Sequence, residues 1–349
     1  MRYFKEPGLS HKHYRKALKS LGKILSSVIK KENKEASVQT LSQIIHSLIS
    51  THSEKNGALE TRKDLRLLGN SLRLATQSNA DISYALREIM WGINADALHF
   101  EESGERSCFK EACRYLKSKN KASVIFDIGA NKGEWSKEVI ANLDKFELHL
   151  FEPNKSLESE LIENIKESLV NSSSQNSAHI NMLGIGDLGT KVLFVNNSSN
   201  EQASTVLAGG EPIYEDYERL EIEMTSGSIY CRSKKINEID FLKIDTEGTE
   251  LKALESFDKI ILDGKIRFIQ FEYGSASFYG DSSLLHFFRL LDAKYSIHRI
   301  FPEGITEVLR YSEKLETFEW SNFLAIRKDS IDFLNHFARQ NPSIQEDLI

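Results

Sequence analysis

The hydrophobic pattern of this chain changes period at Ser123, and that change limits the fold more than any other feature. Residues 123–130 read SVIFDIGA, a nearly continuous apolar run closed by glycine and alanine. Such a run suits a parallel strand covered on both faces, which has no solvent side on which to place alternate polar residues. Behind it, residues 134–142 predict a helix, 147–151 a strand, 156–169 a helix and 179–185 a strand. This βαβαβ alternation specifies a doubly wound, Rossmann-like α/β sheet with helices on both faces. It resumes downstream with strands at 240–245, 266–272, 295–301 and 322–327 and helices at 249–257 and 282–291.

Residues 171–177, rich in Ser and Asn, read as a loop. Strands at 191–195 and 221–225 flank a polar segment, 196–219, that contains Gly209, Gly210 and Pro212. A long segment of this kind inside a compact domain is often a lid or binding loop. Gln202, Ser204 and Thr205 are its candidate substrate contacts.

Before Ser123 the pattern is helical. In 13–29, Tyr14, Ala17, Leu18, Leu21, Leu25 and Val28 recur at helical spacing, while Lys12, Arg15, Lys16, Lys19 and Lys23 occupy much of the remainder. Residues 38–49 and 81–100 repeat the apolar pattern, the second behind Asp81 as an N-cap. The expected organisation is an all-helical N-terminal region over 1–120, an α/β domain over 121–330 and a short amphipathic tail over 331–349. Charge divides along similar lines: residues 1–119 hold 21 Lys and Arg against 13 Asp and Glu, a net of +8, which leaves −14 for the rest of a chain whose net charge is −6.

No apolar run approaches the roughly 20 residues of a membrane span, and the first ten residues lack the apolar centre of a secretory signal. Cys108, Cys113 and Cys231 have neither a disulfide framework nor CxxC spacing, so they read as free thiols in a reducing compartment. The expected location is the cytoplasm, with no nucleic-acid partner. The basic helix would suit peripheral contact with the anionic inner face of a membrane; the stronger alternative packs its apolar stripe on the neighbouring helices and leaves the lysines in solvent.

The candidate chemistry lies at strand ends. The first strand opens into Asp127-Ile128-Gly129-Ala130-Asn131-Lys132-Gly133-Glu134, an acid followed by small residues before a helix. S-adenosylmethionine (SAM) needs close backbone approach at such a turn. Gly129 and Gly133 are expected to supply the room, and Asn131 tolerates positive φ where a middle glycine is common. Asp127 would orient the loop or, through water, the ligand's ammonium group. A dinucleotide site needs GxGxxG; here Asn131 and Glu134 replace its second and third glycines, and an acid in the first helical turn repels phosphate. A tight turn without a ligand is the remaining reading.

Glu152, before Pro153, can accept from a ribose diol in either kind of site. Asp187, after Gly184-Ile185-Gly186, can accept from an adenine amino group, although Asp after Gly is also an ordinary turn. Lys243-Ile244-Asp245-Thr246-Glu247-Gly248-Thr249-Glu250 stands at the fourth strand's tip. If the strand stays extended, Lys243, Asp245 and Glu247 share one side. Two adjacent carboxylates suit a general base and could equally hold a divalent metal cation. The structural alternative has Thr246 cap the next helix while Glu247 and Glu250 complement its dipole. Glu272, at the fifth strand's end, is a second candidate base or substrate ligand. His286 and His298 fall near the same edge, where a lone histidine is more often packed or solvated than catalytic.

Taken together, FDIGANKGEWS (126–136), FEPN (151–154), GIGD (184–187), LKIDTEGTEL (242–251) and FEYG (271–274) resemble the FkbM family of methyltransferases in order and spacing, over residues 123–326. The resemblance implies a class I methyltransferase sheet and SAM-dependent O-methylation, typically of a sugar hydroxyl on a glycan, glycolipid or glycosylated natural product. It would place SAM on Asp127, Gly129, Asn131, Glu152 and Asp187, and the active centre on Asp245, Glu247 and Glu272; Ala130 and Gly133 of the first turn complete the candidate cofactor contacts. It implies nothing about residues 1–120. The alternatives are a non-catalytic binding or assembly module on the same fold and a nicotinamide-dependent oxidoreductase, which the missing glycines disfavour.

Overall fold

The computed structural model describes residues 103–196, 204–205, 217–302, 304–317, 319–330 and 332–334. The chain divides into two units, Met1–Asp96 with Ser343–Ile349 and Ala97–Pro342, and everything described belongs to the second. The helices expected at 13–29, 38–49 and 81–100 lie outside the described residues.

In chain order the domain opens with α1 (Glu105–Ser118), β1 (Ser123–Ile128), α2 (Glu134–Asn142), β2 (Phe146–Phe151), α3 (Glu158–Leu169) and β3 (Ser177–Asn181). Four strands of a second sheet follow, β4 (Gly184–Ile185), β5 (Gly189–Asn196), β6 (Ser204–Thr205) and β7 (Tyr217–Thr225). The second half runs α4 (Gly227–Lys234), β8 (Ile239–Ile244), α5 (Glu250–Glu255), α6 (Lys259–Leu262), β9 (Ile266–Tyr273), α7 (Ser275–Tyr279), α8 (Leu284–Leu291), β10 (Tyr295–Phe301), β11 (Gly304–Glu307) and β12 (Ser321–Arg327).

Eight strands form one sheet in the order β11-β10-β12-β9-β8-β1-β2-β3. β3, β2, β1, β8 and β9 are parallel. β12 enters antiparallel between β9 and β10, and β11 closes the edge as a hairpin with β10. The nearly continuous apolar run of β1 has its cause in this placement: β1 and β8 are central, and every residue of β8 is buried.

Side-chain alternation divides the core. One face carries Leu242, Ile244, Ile269 and Phe271 toward Phe257, Leu284 and Phe287, with Phe271 stacked on Phe287 at 4.4 Å. On the opposite face Phe241 and Phe268 meet α1, where Phe109 lies 5.1 Å from Phe241 and Tyr115 5.7 Å from Phe268. Sequence reading assigned this helix to the N-terminal region, yet its residues Cys108, Phe109, Ala112, Cys113, Tyr115 and Leu116 are buried against the sheet. From the assigned tail, Phe333 is fully buried on the same face, between Tyr115 and Phe268. The three cysteines are free and buried.

The predicted strand 179–185 is two strands in two sheets. β3 pairs with β2, whereas β4 pairs with β7 in a separate four-stranded sheet of order β4-β7-β5-β6. β5 and β7 pair as far as Asn196 with Tyr217 and so take both ends of the expected polar segment into a hairpin; Ser204 pairs with Val195 in β6. Gln202 lies outside the described residues.

Candidate active site

The strand order reverses at β1, with β2 and β3 on one side and β8 and β9 on the other. Open α/β sheets bind ligands beyond the carboxyl ends of their strands at such a point. A cleft of about 750 Å³, its open mouth included, lies there. Gly129 and Asn131 line it from the turn after β1, Glu152 and Pro153 from the end of β2, and Asp245, Thr246 and Glu247 from the end of β8. Ile185, Leu193, Ile222 and Met224 of the smaller sheet make an apolar wall, with Leu157 on the far side of Glu152.

The turn after β1 has the backbone its sequence requires: φ is 82° at Gly129, 48° at Asn131 and 85° at Gly133. The room at the two glycines is nevertheless used by the protein itself. A Cβ on Gly129 would stand 1.7 Å from the Asp245 carbonyl oxygen, and one on Gly133 2.9 Å from Leu161 Cδ1. The expectation that both supply space for a ligand is corrected accordingly. Gly129 lines the cleft, while Gly133 and the buried Ala130 are not among its lining residues. The Ala130 N–H donates to Phe151 at 3.0 Å and its carbonyl accepts from Gly133 at 2.8 Å, which holds the turn on β2.

Glu152 is 6% exposed. Its Oε2 accepts from the Asn131 N–H at 2.9 Å and its Oε1 from the Asn154 N–H at 2.8 Å, tying the two loops together. Burial raises its pKa and the two backbone donors oppose that rise. Each oxygen has a second lone pair to offer the cleft.

Asp127 is fully buried beneath the turn. Its Oδ2 accepts from Ser136 Oγ at 2.7 Å, and its Oδ1 has no hydrogen-bond partner. Parallel register sets Asp127 beside Lys243 and Lys243 beside Gln270, one polar row across three strands. Lys243 Nζ donates to Asp245 Oδ2 at 2.8 Å. Burial alone would lower the Lys243 pKa; Asp245, Asp127 and Glu105 outweigh it and hold the ammonium above its ordinary range. Glu105, the first residue of α1, accepts from Ser103 Oγ at 2.9 Å and Gln270 Nε2 at 2.5 Å, and burial pushes its pKa up to about 7.

Past Ile244 the chain leaves the extended conformation: Glu247 has φ 54°. Lys243 and Asp245 therefore stay together, while Glu247 is turned away from the strand's alternation. Thr249 takes the cap position of α5 in place of Thr246. Glu250 Oε1 accepts from the Thr246 N–H at 2.8 Å and the Gly248 N–H at 3.0 Å, so this carboxylate shapes the Asp245–Gly248 loop. Glu272 stands at the end of β9, its pKa raised well above normal by burial first and then by Asp245, Glu247, Glu250 and Glu105. Asp187 is exposed in the β4–β5 turn and is not among the cleft's lining residues. His286 lies in the first turn of α8, where its Nδ1 accepts from the Ser283 N–H, and His298 is buried in β10, its pKa lowered by burial to about 4.

Sequence reading missed Glu105 and Gln270. Glu105 reads as any first-turn acid of a helix, and Gln270 joins Lys243 only through strand register.

A parallel sheet that reverses order beside a ligand cleft and takes in a late antiparallel strand next to its last parallel one is the Rossmann-like methyltransferase architecture. Residues 127–297 match the family model described as the methyltransferase FkbM domain, the family whose motifs the sequence resembles. No curated protein matches the sequence. Among solved structures, the O-methyltransferase from Bacillus cereus in complex with SAH is 11% identical, over 62% of this chain and 80% of that one, with a TM-score of 0.34. TomG from Streptomyces achromogenes, an O-methyltransferase of tomaymycin synthesis in complex with SAM, is 9% identical, over 62% and 79%, with a TM-score of 0.33.

Proposed function

We propose that the domain transfers a methyl group from SAM to a sugar hydroxyl. The observation that carries this reading is the charge of the cleft: Glu152, Asp245 and Glu247 line it, and among the described residues no Lys or Arg does. The charged groups a pyrophosphate would meet there are all carboxylates, whereas a sulfonium and an ammonium meet their counter-charges. Glu152 would take the ribose diol on its free lone pairs, and Leu157 and Ile185 would enclose the adenine. Asp187, outside the cleft lining, would reach the adenine amino group only from the rim.

SAM supplies a methyl group made electrophilic by its sulfonium. The chain's part is to remove the hydroxyl proton, since an alcohol attacks slowly until its proton has somewhere to go. Asp245, fixed by Lys243, is the proposed base. Glu247 borders the acceptor side of the cleft, and Glu272, at the neighbouring strand end, is the second candidate base. A divalent cation on these acids is the competing way to activate the hydroxyl; among the described residues the group with metal-ligand spacing lies elsewhere. The sugar acceptor is supported by the FkbM resemblance and by two exposed rings near the β9 tip. Phe278 of α7 is 71% exposed, and Trp320 is 38% exposed over Gly274; both suit stacking against the C–H face of a sugar. The test is a thermal-shift panel followed by radiolabelled transfer. S-adenosylhomocysteine should raise Tm and NAD should not, because only ligands of the native state stabilise it. Label from SAM should then appear in a glycoside and vanish with O-blocked analogues. Stabilisation by NAD alone would overturn the cofactor, and labelling of blocked sugars the acceptor.

A further inference from the structure

Away from the cleft, strand register assembles three side chains that the methyl transfer does not use. Glu147 and His149 are two apart on β2 and share a face, and His179 is the direct partner of His149 on β3. Both imidazole Nε2 atoms approach the same oxygen, Glu147 Oε1, at 3.3 Å from His149 and 3.5 Å from His179. One ligand atom from each residue lies within 4.8 Å of the others. Donors bound to a tetrahedral zinc ion at ordinary Zn–N and Zn–O lengths are separated by about 3.4 Å.

We infer that Glu147, His149 and His179 form a binding site for a divalent transition-metal ion of the zinc type, with a fourth position open to water. His149 is the stronger support. Its side chain is 0% exposed, yet its Nε2 has no hydrogen-bond partner. A buried ring nitrogen is rarely left so, and this one points to the Glu147 carboxylate. Its other nitrogen is already held: Nδ1 lies 2.9 Å from Tyr230 Oη, which itself accepts from Asn181 Nδ2 at 3.2 Å. In the tautomer whose Nδ1–H donates to Tyr230, His149 presents a lone pair at Nε2, the outer-shell arrangement usual for metal-bound histidine. Glu147 and His179, 43% and 38% exposed, give an ion its path from solvent. Two imidazoles and one carboxylate favour Zn²⁺ and its neighbours over Mg²⁺ or Ca²⁺. The ion would clamp β3, the edge strand, onto β2.

The test uses the full chain stripped with chelator and titrated with Zn²⁺ by calorimetry, then with Co²⁺ for the intense visible absorption of a tetrahedral site. One equivalent of Zn²⁺ should bind and raise Tm, and Mg²⁺ should do neither. His179→Ala and Glu147→Gln change exposed side chains and should leave the apo fold intact, so each should weaken Zn²⁺ by about a hundredfold or more and remove the Co²⁺ band. Histidines elsewhere in the chain, such as His11 and His13, provide the rival. Binding that survives both variants, or no stoichiometric binding in the unmodified chain, overturns the site.

Discussion

Replacing Gly129 with alanine probes the strand tips most directly. The added Cβ would sit 1.7 Å from the Asp245 carbonyl oxygen, where an ordinary contact is about 3.4 Å or more, so β1 and β8 must part locally. Three backbone hydrogen bonds meet at this point: Asp245 to Ile128 at 2.9 Å, Gly129 to Phe151 at 2.9 Å and Ala130 to Phe151 at 3.0 Å. Losing one or two costs about 1 kcal/mol each. Holding alanine at φ 82° adds about 1–2 kcal/mol. The sum is a destabilisation of about 2–4 kcal/mol, together with displacement of Asp245. Urea unfolding should show a lower midpoint at unchanged slope, and calorimetry with S-adenosylhomocysteine should show affinity lost in parallel. A variant as stable as the parent that merely binds poorly would refute this reasoning, because it would mean that the space belongs to the ligand and not to Asp245.

Other substitutions separate the remaining roles. Glu152→Gln should weaken SAM binding by ten- to a hundredfold in calorimetry and lower Tm as well, because an amide NH₂ would face a backbone N–H that now donates to a carboxylate oxygen; normal binding would move the diol elsewhere. Asp245→Asn should reduce turnover by two or more orders of magnitude while SAM affinity changes little, so an unchanged rate would sink the base assignment. Glu105 has its pKa raised by burial to about 7. An acid with a raised native pKa gives its full stability below about pH 4.5 and loses it as pH climbs through 7. Glu105→Gln should therefore gain about 2–3 kcal/mol over the parent between pH 5 and 8 in denaturation series, and parallel pH profiles would show that Glu105 is not held protonated.

Much of the scaffold was legible because a strand covered on both faces reads as a nearly continuous apolar run, as 123–130 does; the strand at 240–245, which holds Asp240, Lys243 and Asp245, was found from the resumed strand–helix alternation. The turn at Gly129 and Asn131 was legible because few residues accept positive φ. The split of residues 179–185 was not, since β3 and β4 are both short and apolar enough to continue one strand, and only pairing decides which sheet each joins. α4 escaped notice because its sequence, GSIYCRSK, has no strong apolar stripe; Ser226, accepting from the Ile229 N–H, is its clearest local signal. Asp245 was found from its place at a strand tip. Its electrostatic coupling to Glu105, with Lys243 between them in charge, depends on register and on how α1 lies across the sheet, which no local pattern encodes.

The place of β12 has a consequence for how the protein is made. β10 and β11 are synthesised before β12, yet neither pairs with β9; they join the large sheet only through β12. During translation, β9 therefore presents a bare edge until residues 321–327 have left the ribosome, and the β10–β11 hairpin has no sheet to join. Long-range pairing of this kind delays completion of the fold and exposes strand edges to aggregation. A chain ending before Ser321 would lose the attachment of two further strands by omitting one, so late nonsense mutations should be far more damaging than their position suggests.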